Sequence, residues 1–177
     1  MFVYEKKLQY PVKIARPNPR LASIIISQYG GPDGELGASM RYLSQRYSMP
    51  FDDQKGLLTD IATEELGHLE MVAAIVHQLT RNLKEKDIEN SPLEAYFVDH
   101  TAGIYPTAAS GFPWTAASMQ VKGDPIADLT EDLAADATTL QSQLLKIPVN
   151  FNRNFLCFWI TTIDYNVINQ DINDLAS

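Results

Sequence analysis

The stretch "TDIATEELGHLEMVAAIV", residues 59–76, decides how the chain reads. Taken at every third and fourth position from Leu58, this region gives Leu58, Ile61, Glu65, His68, Val72, Ile75 and Leu79. A helix turns in about 3.6 residues, so side chains at that spacing share one face, and an apolar face is the one a helix buries. Glu65 and His68 therefore stand in the middle of a buried seam, three apart and on adjoining turns. An unpaired carboxylate in such a place costs several kcal/mol, so it needs a partner or a proton.

Working outward, the same period predicts neighbouring helices. Asn18 before Pro19 in "RPNPR" is a cap followed by proline at the first helical position. A first helix starts there, carries Leu21, Ile24 and Ile25, and resumes through Leu36, Met40 and Leu43 to about Tyr47. Pro32 and its flanking glycines should bend or break it just before Glu35, because proline lacks a donor and clashes one turn back. The second helix, which carries the seam, spans about 52–81. A third starts at "GDPIADL", with Asp124 as cap and Pro125 at the first position, and continues to about Lys146. The segment 151–177 reads as a fourth helix of unusual composition, although its Phe, Trp, Ile and Thr would suit a strand at first. Residues 1–16 read as an extended, partly polar arm, and 82–123 as a long loop rich in proline and aromatics, of the kind that covers a site or meets a partner.

On the third helix the expected seam is Ile126, Leu129, Leu133, Asp136, Leu140 and Leu144, interrupted by Asp136 as the second is by Glu65. After the break in the first, Glu35, Ala38 and Tyr42 share a face. Three helices each aiming a carboxylate inward are most economically explained as metal ligands. Carboxylates with a few imidazoles suit manganese or iron, and helical bundles build two-metal centres from such groups. Structural zinc would want several cysteines, and the H-E-x-x-H pattern fails because Glu64 holds the place of its first histidine. Glu64, Glu70 and His77 lie off the seam and read as surface groups, and His100 belongs to the long loop.

The 177 residues are 45% hydrophobic and 20% charged, as in an ordinary globular chain, and are expected to form a single domain. No apolar run approaches the roughly 20 residues of a membrane span. The start "MFVYEKKLQYPVK" shows no signal peptide, so synthesis in the cytoplasm is expected. A net charge of -8 argues against nucleic acid as a partner. The one cysteine, Cys157 in "FLCFWI", reads as a small buried hydrophobe.

Three segments in this order, "NPRLASIIISQYGGPDGELGASMRYLSQRY", "GLLTDIATEELGHLEMVAAIV" and "GDPIADLTEDLAAD", resemble the manganese catalases, most closely their spore-coat branch, the CotJC-type proteins. "VYEKKLQYPVKI" and "YFVDHTAG" also look like that branch, and the likeness runs from residue 1 to about 136. The resemblance implies an all-α, ferritin-like four-helix bundle around two manganese ions, with iron as the alternative metal. It implies disproportionation of hydrogen peroxide to water and oxygen, homo-oligomers, and a place in the spore coat among other coat proteins. Glu35, Glu65 and His68 would be ligands, and Tyr42 a catalytic residue just outside them.

Two departures stand against that picture. Where the family has a Glu ligand this chain has Asp136, whose oxygens withdraw by about 1.5 Å, one carbon–carbon bond. The family's fourth helix carries a Glu and, three residues on, a second His; here Ile163 and Asn166 fall there, and no histidine follows His100. The likeness ends abruptly in "ATTLQSQLLKIPVNFNRNF", which points to replacement of the C-terminal segment by frameshift or recombination, testable in the coding DNA. A second reading follows: a structural coat subunit that keeps the ferritin-like shape without catalysis.

Overall fold

Asn18 does start the first helix. In the computed structural model, which describes residues 3–97 and 103–146 and side chains up to residue 135, helix α1 spans Pro19–Gly30. Asn18 Oδ1 accepts the Leu21 N–H at 3.1 Å, which satisfies one of the orphan donors of the first turn. The helix ends where Gly31 N–H returns to Ser27 O at 2.8 Å, and α2, Glu35–Gln45, begins after the Pro32 break. Helix α3 spans Asp52–Thr80, and Asn82 beyond its end adopts φ 67°, a left-handed conformation that asparagine tolerates.

The 82–123 segment contains a one-turn helix, α4, Glu85–Ile88, which the sequence pattern did not announce. Among the described residues, the 3-10 turns Glu94–Tyr96 and Ala116–Ser118 follow, with isolated bridges pairing Phe97 with Ile104 and Thr107 with Pro113. Helix α5, Pro125–Lys146, opens as expected, with Asp124 Oδ1 accepting the Ala127 N–H at 2.9 Å. Among the described residues there is no strand, so the architecture is all-α. No described helix is long and apolar enough to cross a membrane.

The chain divides into two compact units, Met1–Gly37 with Glu65–Ser118, and Ala38–Glu64 with Met119–Ser177. In the first, the loop after residue 103 closes on the end of α1. A Cβ on Gly30 would lie 2.0 Å from the Pro106 carbonyl carbon, so only glycine admits this approach, and Ala109 N–H donates to Ser27 Oγ at 2.8 Å. Tyr96 ties the same loop by donating to Ala109 O at 2.5 Å, and burial pushes its phenol pKa up.

The arm belongs to this unit and follows α3. Tyr4 donates to Glu70, Ile14 N–H to Gln78 Oε1, Gln78 Nε2 to Val12 O, and Arg81 to Ala15 O. These partners keep a nearly constant offset of 64 to 66 residues, so the arm advances at the pace of the helix it lies on. A helix rises only about 1.5 Å per residue against roughly 3.3 Å for a strand, so such an arm cannot be extended. It bends at residues 6–7, 9–10 and 15–16, which corrects the expectation of an extended segment.

The second unit holds a core of Tyr42, Met49, Leu58, Ile61, Ala62 and Leu129, with Ala38, Leu43, Leu57 and Leu133 packed against it. Ser39 Oγ donates to Ala62 O at 2.8 Å and pins α2 to α3 within this unit. The seam expected on α5 is only partly observed. Leu129 is buried, but Ile126 is exposed, and Asp128 and Asp132 are fully buried instead. The physical reason is hydrogen bonding: Asp128 accepts the N–H groups of Lys122 and Gly123 at 2.7 and 3.1 Å, folding the incoming loop against the helix. Asp132 Oδ1 accepts from the buried Gln45 Nε2 at 2.9 Å. The expected fourth helix over 151–177, with Cys157, Ile163 and Asn166, lies outside the described residues, as does His100.

Candidate metal centre

Glu35 opens α2, where its carboxylate meets the positive end of the helix dipole. Glu65 and His68 come from the middle of α3. All seven positions of the α3 seam, from Leu58 to Leu79, are buried. Glu35, Glu65 and His68 retain 3%, 2% and 3% of their exposure, too little for water to screen their charge. His68 Nδ1 lies 2.7 Å from Glu65 Oε2, the short contact that an i, i+3 pair makes when both side chains turn inward.

Each of the three offers a donor atom, and these atoms all lie within 4.8 Å of one another. All three residues belong to the first compact unit, so the group is built within it. On an octahedral ion with bonds of about 2.1 Å, neighbouring donors stand roughly 3 Å apart and opposite ones about 4.2 Å. The 2.7 Å between Glu65 and His68 is close to the spacing of neighbours on one ion. Two carboxylates and an imidazole are hard and borderline donors, the set that suits manganese or iron. The residues present thus fit a divalent metal by chemistry, by spacing and by burial.

Of the other expected site residues, Tyr42 belongs to the second unit and Asp136 has its side chain outside the description. Tyr42 is fully buried in the core of the second unit, beside Leu58, Ile61 and Leu129. Asp136 lies within α5, but its side chain is beyond the described ones. Glu64 and His77 are exposed, and Glu70 accepts from Tyr4 OH at 2.9 Å, in line with their reading as surface groups. The buried carboxylates that the sequence reading missed are Asp128 and Asp132. A signal existed: Asp124, Asp128, Asp132 and Asp136 recur at every fourth residue, a row on one helix face.

Residues 1–147 match the family of manganese containing catalases. The chain belongs to the manganese catalase family. Over 136 residues it is 53% identical to protein CotJC of Bacillus subtilis, an alignment covering 77% of this chain and 71% of that protein. A probable manganese catalase of Clostridium acetobutylicum is 37% identical over 141 residues, 77% of this chain and 61% of the relative. Measured against such longer family members, the chain therefore spans less than two thirds of their length. Among solved structures, KatB, a manganese catalase from Anabaena, superposes with a TM-score of 0.83 at 26% identity, covering 100% of this chain and 82% of KatB. The fold is thus that of a manganese catalase, all-helical and ferritin-like.

Proposed function

We propose that this chain is a spore-coat member of the manganese catalase family that binds manganese through Glu35, Glu65 and His68 and acts on hydrogen peroxide, converting it to water and oxygen. The observation that carries this reading is the buried convergence of those three side chains, all with donor atoms within 4.8 Å. The likeness to CotJC supports the coat, with other coat proteins and further copies of the chain as its partners.

When bound, manganese would supply the redox couple and polarise peroxide. The chain's own contribution is threefold. Glu35 and Glu65 neutralise the ion, His68 contributes a neutral nitrogen, and burial of all three excludes bulk water, so that their charges act at low dielectric. Asp136 is proposed as a further ligand and Tyr42 as a catalytic phenol, both on the family resemblance. Iron is the alternative metal, because the donor set accepts either.

The test is elemental analysis of the purified chain together with peroxide-dependent oxygen release after manganese loading. Retained manganese and oxygen release that both disappear in His68→Ala support the reading; a chain that keeps no metal overturns it. A second reading, a non-catalytic structural coat subunit, is favoured by the sequence having one E-x-x-H pair only. Retained metal without oxygen release would select it.

A further inference from the structure

We infer that Glu35, Glu65 and His68 form a centre for one divalent ion and not for a pair. The inference rests on the metal-binding reading above and narrows it. A two-metal site in a helical bundle draws a Glu from each of two helices and an E-x-x-H pair from each of the other two, so that each ion has its own imidazole. The 177 residues contain three histidines, and only His68 has a glutamate three positions before it. His77 is exposed on the last turn of α3, so it faces away from the buried group.

Charge gives the same answer. Glu35 and Glu65 bring two negative charges into a buried group, and an imidazole that ligates a metal is neutral and adds none. One divalent cation balances them. Even with Asp136 counted as a third carboxylate, a second divalent ion would leave a net positive charge beside Glu35, Glu65 and His68, which keep 3% or less of their exposure, and desolvating an unbalanced charge costs several kcal/mol even after relaxation. Spacing agrees for the α3 pair, since His68 Nδ1 and Glu65 Oε2 stand 2.7 Å apart like neighbours on one ion, whereas two metals stand roughly 3.5–4 Å apart and need donors on both sides, and the described residues offer no second group of three donors.

The measurement is made on the 177-residue chain. Manganese(II) is added in excess and unbound ion removed by gel filtration. Manganese per chain is then counted by elemental analysis, and the electron paramagnetic resonance spectrum recorded. One manganese per chain with the six-line pattern of an isolated ion is expected. His68→Ala should weaken binding at least as much as the roughly 10–100-fold caused by losing a mere supporting partner, with Glu35→Gln as a second variant of nearly the same shape. Circular dichroism confirms that both variants stay helical. Two manganese ions per chain with the spectrum of a coupled pair overturn the single-ion inference and leave the metal-binding reading standing. A chain that holds no manganese removes both.

Discussion

Gln45 and Asp132 form a side-chain contact in the interior of the second unit. Both are fully buried, and the amide donates to the carboxylate at 2.9 Å while lying 3.3 Å from Gln120 O. Gln45→Ala removes that donor and should lower stability by about 1–3 kcal/mol, read as a reduced urea midpoint at unchanged slope. Leu129→Ala, which hollows the neighbouring core, should lower it by about 2–5 kcal/mol in the same assay. These residues also mark how far the sequence was legible. The α3 seam could be read position by position because its apolar period runs unbroken for two turns on either side of Glu65 and His68. On α5 the same method found Leu129 and Leu133 but put the exposed Ile126 inside and missed two buried aspartates. It ranks aspartate as a surface residue, whereas Asp128 and Asp132 are buried by hydrogen bonds that hydrophobicity does not register.

Single helices were legible wherever the chain marks their ends chemically. Asn18 with Pro19, Asp124 with Pro125, and the Pro32 break all act through one or two residues, and all stand where the sequence places them. Asp124→Ala should therefore cost about 1 kcal/mol by leaving the Ala127 N–H without its acceptor, which shows as a lower thermal midpoint. Helix α4 escaped notice because one turn is too short to show a period. Close approach between elements is likewise silent in a sequence. Gly30 looks like any turn glycine, yet Gly30→Ala would drive a methyl to 2.0 Å from the Pro106 carbonyl carbon. The backbone of one side must move, so a loss of at least about 1–3 kcal/mol is expected, together with faster hydrogen exchange at Ala109 N–H, whose acceptor Ser27 lies on the same helix end.

For the molecule as a whole, a ligand that binds only the folded chain stabilises it by mass action. Manganese at 100 times its dissociation constant should add about 2.7 kcal/mol. For a chain of this length that corresponds to a rise in melting temperature of roughly 5–11 °C, reversed by a chelator and absent in Glu65→Gln. Family membership was readable because three separated motifs occur in the right order, and the superposition on KatB agrees with it. The bent arm sets a different kind of constraint. Its hydrogen bonds join residues 64 to 66 apart, so Tyr4, Val12 and Ile14 leave the ribosome well before Glu70, Gln78 and Arg81 exist. During synthesis the first residues made must wait unseated until α3 is complete, so the arm docks only after residue 81 has emerged, while the rest of the chain is still to come.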